Sequence, residues 1–309
     1  MQKPSKKIYF NPPIKIPDPM KLFLFFSLLI FPMFPLEATP SGAIPDGKGE
    51  VSVGEGGRAI QVYTYKPKGF SNGPIFFVFH GAKRNAEDYR NWTISLAEKH
   101  HAMVAAPFFD QERFLAHLYS WGGILTKDGT LRNRKQWSFP MATEVIQDIL
   151  KREGDPKRDH YLIGHSGGGQ FLTRYVAMEP ITAKRVVAAN AGTYPFARLD
   201  WDWGYGFGNL PRDLQNEDRL KKMVETPMTI YLGLADNLPK GENFDDSPEA
   251  NRQGKVRLER GRNFFESCQK LAKEKGWKFN WTKVEVPNVG HDAELMINDL
   301  RMEKALGFQ

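Results

Sequence analysis

Apolar and polar positions along this chain fall into two alternating patterns. Ile75–Phe79, Met103–Pro107, Val186–Ala189 and Met228–Leu234 are nearly continuous apolar runs, the pattern of short strands buried on both faces. Thr282–Val286 reads as a further strand, and Arg58–Tyr65 alternates in part, which suits an antiparallel edge strand. Between these runs the period changes to that of a helix. Ala86–His101, Ala142–Arg152 (with Val145, Ile146, Ile149 and Leu150 on one side) and Arg257–Lys275 are predicted helices. Residues 39–50, rich in Gly and Pro, read as a flexible lead-in. Repeated strand–helix–strand alternation predicts an α/β fold, with a mostly parallel sheet and helices on both of its faces. There is no internal repeat and no low-complexity tract.

One of these transitions carries chemistry. Tyr161-Leu162-Ile163 runs into Gly164-His165-Ser166-Gly167-Gly168, and a helix-compatible stretch follows from Gln170 to Met178. A Gly-x-Ser-x-Gly turn between strand and helix is the context of a nucleophile elbow. The turn strains the serine backbone, and a side chain at Gly164 or Gly168 would collide with the neighbouring element. The alternatives are an ordinary glycine-rich turn or a phosphate loop, but no Gly-Lys-Ser/Thr follows.

Two further residues lie where a triad needs them. The Met228–Leu234 strand ends at Ala235-Asp236-Asn237, which puts an acid at the ligand-binding edge of a parallel sheet. The Thr282–Val286 strand runs into Pro287-Asn288-Val289-Gly290-His291. Ser166, Asp236 and His291 therefore follow the order nucleophile, acid, base, each just after its own strand. Asp292, Asp202 and Asp245 are weaker rivals for the acid. His80 and His165 are expected to pack rather than to catalyse.

With His80-Gly81, Gly164–Gly168, Asp236 and Gly290-His291 in these positions, the chain resembles the serine α/β-hydrolases over residues 58 to 309. Within them it looks like the secreted esterases of the polyhydroxybutyrate depolymerase and feruloyl esterase type. An oxyanion hole would take one backbone N–H from Gly167 and a second from the loop after Ile75–Phe79, where the resemblance points to Ala82. The His-Gly-Gly-Gly form of that loop is missing here.

The aromatic-rich segment Tyr194–Phe207 follows a strand and so is expected at the same edge. Tyr194, Trp201 and Trp203, with Trp121 from the 108–140 insert, are candidates for a substrate-binding wall. The other reading is a small cap whose rings bury one another.

Composition changes the picture at the N-terminus. Leu22–Phe31 is apolar apart from Ser27, follows Lys21 and ends at Pro32 and Pro35, which fits a signal-peptide core better than a bilayer span. Residues 1–43 are thus expected to be a signal peptide with an upstream extension. Met20 is the expected start, cleavage is expected after Ala38 or Ala43, and residues 44–309 are the catalytic domain. A retained membrane anchor is the alternative. The expected location is secreted or periplasmic.

The net charge is +7 over 309 residues, and +4 without residues 1–43, too weak a bias to indicate nucleic acid. The single cysteine, Cys268, excludes an intrachain disulfide and reads as a core residue. No His-x-x-x-His or Cys pair argues for a metal, and no cofactor is expected.

Three functional classes stay open. The first is a carboxylic-ester hydrolase acting on small or polymeric esters, the second a serine peptidase on the same fold, and the third a non-catalytic binding module. A complete triad counts against the third.

Overall fold

The computed structural model of the protein describes residues 42, 44–239, 241 and 243–308. The expected signal segment and its cleavage positions lie outside the described residues. Eight strands form one sheet: β1 (Gly47–Val53), β2 (Ile60–Lys66), β3 (Ile75–Phe79), β4 (Met103–Phe108), β5 (His160–His165), β6 (Arg185–Ala189), β7 (Met228–Gly233) and β8 (Trp281–Val286). Their order is β1-β2-β4-β3-β5-β6-β7-β8. β1 with β2 and β2 with β4 are antiparallel, and every later pair is parallel. This is the expected fold class, an α/β-hydrolase sheet.

The helices are α1 (Ala86–Lys99), α2 (Ala116–Tyr119), α3 (Ser138–Arg152), α4 (Gly167–Met178), α5 (Glu217–Glu225), α6 (Pro248–Gln253), α7 (Arg257–Lys275), α8 (Ala293–Asn298) and α9 (Arg301–Leu306). Buried side chains divide into two cores, one on each face of the sheet. Ile75, Phe77 and Phe79 of β3 point into the larger core, with Ile149 of α3, Phe171 of α4, Met223 of α5 and Phe264 and Cys268 of α7. Phe76 and Val78, the alternate positions of the same strand, point into the other core with Leu96 of α1, Met296 of α8 and Met302 of α9. A strand covered on both faces has no polar side to show, which is why the β3 run is continuously apolar.

Two expectations at the N-terminal side need correction. Part of the expected lead-in, from Gly47 onward, is strand β1. Strand β2 is therefore not an edge, because β1 pairs with it from Gly47↔Lys66 to Val53↔Ile60. Residues of β1 alternate between half-buried and exposed, so its sequence carries no apolar run to reveal it. Among the described residues, no helix is long and apolar enough to cross a membrane.

Parallel strands bring their C-terminal ends to one edge, and the loops leaving β3, β5, β6, β7 and β8 gather there.

Candidate active site

The turn between β5 and α4 is held by close backbone approach. A Cβ on Gly164 would lie 2.4 Å from the Gly168 carbonyl oxygen, and one on Gly168 would lie 2.1 Å from that of Phe79. Helix α4 begins at Gly167, earlier than its sequence suggests, since Gly167–Gly169 is a poor helical start on propensity alone. Packing against β3 and β6 overrides that propensity. At Gly169 a Cβ would come within 2.8 Å of the Ala189 carbonyl oxygen. Ser166 sits between strand and helix at φ 56°, ψ −116°, in the positive-φ region that costs a non-glycine residue on the order of 1–3 kcal/mol. Its N–H donates to Ala189 O at 2.9 Å. Its hydroxyl stands at the N-terminus of α4, where the helix dipole favours negative charge.

The Ser166 hydroxyl donates to His291 Nε2 at 2.9 Å, and His291 Nδ1–H donates to Asp236 Oδ2 at 2.8 Å. Residues 125 and 55 positions apart in the chain are thus joined in one hydrogen-bonded line. Asp236 is buried, with 5% of its side chain exposed, whereas His291 shows 27%, enough to meet both Ser166 and solvent. The second Asp236 oxygen, Oδ1, faces Arg257 Nη1 at 3.5 Å. Two of the rival acids are engaged elsewhere. Asp292 accepts from Leu295 N–H to cap α8, and Asp245 accepts from the Tyr205 hydroxyl and from Ser247 N–H.

The loop after β3 lies directly against the elbow. A Cβ placed on Gly167 would be 3.2 Å from the Ala82 nitrogen, so the two expected oxyanion N–H groups belong to neighbouring backbone. His80 braces this loop from within the core. Its Nε2 accepts from Phe109 N–H at 3.1 Å and its Nδ1–H donates to Gly81 O at 2.9 Å. Complete burial pushes the imidazole down to about 3, so it stays neutral at ordinary pH. His165, inside the elbow, is also buried and is pushed well below the usual histidine range by desolvation, with the neighbouring His291 adding to the effect. Its ring centroid is 4.8 Å from that of His291.

A cavity of about 520 Å³ opens over Ser166 and His291. Its aromatic lining is Tyr89 and Trp92, from α1, with Leu238 on the β7 side and Lys83 beside Ala82. None of the four aromatic residues expected as a substrate wall lines it. Tyr194 is fully buried, stacked on Phe264 at 4.8 Å, with its backbone clamped at both N–H and C=O by Gln253. Trp203 is buried and donates through Nε1 to Trp121 O at 3.1 Å. Trp121 meets Tyr205 edge-on at 5.3 Å, and Trp201 packs on Phe196 at 5.3 Å. Gly204 and Gly206 allow this, since a Cβ at either would strike Trp121 or Trp201 within 2.7 Å. The segment is a cap packed on itself. Sequence reading did not single out Tyr89, Trp92 or Arg257, because their helical positions look like ordinary core or surface until the loops converge.

Cys268 is buried in the larger core, and desolvation raises its thiol to about 12. Among the described residues, no group of three or more His, Cys, Asp or Glu side chains is arranged to hold a metal.

No family model matches the chain, and no curated protein does. Solved structures do. Poly(aspartic acid) hydrolase-1 from Sphingomonas sp. KT-1 is 31% identical with a TM-score of 0.78, over 85% of this chain and 98% of that one. A poly(3-hydroxybutyrate) depolymerase from Bordetella parapertussis is 30% identical, also with a TM-score of 0.78, over 85% of this chain and 91% of that one. An IroE-like serine hydrolase from Shewanella oneidensis shares the fold at 13% identity and a TM-score of 0.51, over 84% of this chain and 78% of that one. The likeness to the first two, over 85% of this chain, makes it a hydrolase: it belongs to the α/β-hydrolase superfamily, among the poly(3-hydroxybutyrate) depolymerase-like esterases.

Proposed function

We propose that the protein cleaves carboxylic esters through an acyl-enzyme on Ser166. The observation that carries this reading is the line of hydrogen bonds from Asp236 through His291 to a strained Ser166. His291 takes the hydroxyl proton as Ser166 Oγ attacks the ester carbonyl, and Asp236 fixes the tautomer and stabilises the imidazolium. The N–H groups of Gly167 and Ala82 receive the developing oxyanion, each donor being worth about 3 kcal/mol in such a site. His291 then returns the proton to the leaving alcohol. Water, activated by the same imidazole, releases the acid. The substrate enters the cavity between Tyr89, Trp92 and Leu238.

One observation favours a second reading, amide hydrolysis: one relative is named for poly(aspartic acid), a polymer joined by amide bonds. The signal segment read at residues 1–43 would direct the enzyme out of the cytoplasm, to the periplasm or beyond.

Hydrolysis of p-nitrophenyl acetate and butyrate, beside the matching anilides, tests the first reading. Ester turnover that disappears in Ser166→Ala supports it. Faster anilide turnover would favour the amide reading, and activity unchanged in folded Ser166→Ala would refute both.

A further inference from the structure

Asn190 follows the last residue of β6, at the sheet edge where the site is built. Its φ is 43°, in the left-handed region, where Asn is enriched among non-glycine residues. Only 1% of the residue is exposed, yet its carboxamide is used on both sides. Gly233 N–H donates to Oδ1 at 2.8 Å, and Nδ2 donates to Gly290 O at 2.9 Å. Gly233 ends the strand that leads to Asp236, and Gly290 directly precedes His291. The residue before Asn190 completes the set, since Ala189 O accepts the N–H of Ser166 at 2.9 Å. Two consecutive residues therefore hold one backbone group from the segment of each triad member.

We propose that Asn190 is a positioning residue for this site, fixing the acid turn and the histidine loop against each other beside the strand that anchors the nucleophile. The inference rests on the serine-hydrolase reading above. Few side chains could replace it. Glycine reaches the left-handed backbone but offers neither bond. Aspartate has the shape and the acceptor but no donor for Gly290 O. β-Branched residues are strained at this φ. Asn190 touches no substrate in this account. It acts by keeping His291 Nε2 within reach of Ser166, and a displacement of about 1 Å at such a site costs on the order of 10²-fold in rate.

The test uses Asn190→Gly, which keeps the backbone and deletes both side-chain bonds, and Asn190→Asp as a second variant of nearly the same shape. Ser166→Ala is the control. Steady-state kinetics on p-nitrophenyl butyrate are read beside thermal unfolding. In either folded variant kcat should fall by about 10²-fold while KM moves by less than about threefold. A folded variant whose kcat stays within about threefold of wild type, or whose loss is carried by KM, overturns the inference. If Asn190→Gly does not fold, Asn190→Asp decides on the same criterion. Lost activity in Ser166→Ala with none lost at Asn190 overturns this inference alone, whereas full activity in Ser166→Ala overturns the serine-hydrolase reading and this inference with it.

Discussion

A Cβ on Gly168 would lie 2.1 Å from the carbonyl oxygen of Phe79, so the nucleophile helix approaches β3 more closely than any side chain permits. Because the obstacle is backbone on a central strand, no rotamer change relieves it. Gly168→Ala is expected to lower stability by roughly 3 kcal/mol or more, at or beyond the upper range for overpacking. Urea unfolding measures it, and a variant as stable as wild type would show that the elbow can shift as a unit.

The acid turn and the histidine loop meet with similar tightness. A Cβ on Gly233 would lie 2.5 Å from Val289 O and 2.9 Å from Gly290 O. Gly233→Ala should push the histidine loop away from Ser166 and lower kcat by about 10²-fold. A proportional rise in KM instead would point to damage in substrate binding.

Asp236 holds His291 through Nδ1, which leaves Nε2 free of its proton and able to accept from Ser166. An amide at this position can present a donor to Nδ1 and reverse the tautomer. Asp236→Asn is therefore expected to lose on the order of 10⁴-fold in kcat with the fold intact. Steady-state kinetics and circular dichroism check the two halves of this statement.

Buried neutral histidines make stability depend on pH. His80 is held near 3 against an ordinary 6.5, and His165 is lowered in the same direction. Between those values the unfolded chain binds protons that the folded protein does not, so stability falls as pH is lowered through this window. From about pH 7 to about pH 5 the buried His80 should remove roughly 2 kcal/mol, and His165 acts in the same direction. Urea midpoints that stay level over this range would contradict neutral burial.

Cys268, deep in the core with its thiol raised to about 12, should not react with a disulfide reagent in the folded protein and should react fully in denaturant. Thiol titration with and without denaturant reads this directly.

How much of this was legible in the sequence depended on what kind of pattern each element leaves. Strands β3, β4, β6 and β7 are covered on both faces, and their continuous apolar runs announce them. Strand β1 owes its existence to pairing with β2, and its Gly-Lys-Gly-Glu start looks like a loop. The order and strand-end placement of Ser166, Asp236 and His291 could be read because a parallel sheet sends all such ends to one edge. Which aromatic side chains face the cavity could not, since Trp121 and Trp201 are seated against Gly204 and Gly206, and Trp203 by its bond to Trp121 O, none of which leaves a periodic pattern. Asn190 gave one signal, its place just after β6, but its role lies in bonds to Gly233 and Gly290, far along the chain.

The central claim is that Ser166 carries the acyl group. Acid-quenched protein taken during turnover of p-nitrophenyl butyrate, analysed by intact mass and by peptide mapping, tests it most directly. The account predicts one added butyryl group on the peptide containing Ser166 and none in Ser166→Ala. A butyryl group on another residue, or ester turnover in which no acyl-enzyme forms, would contradict it.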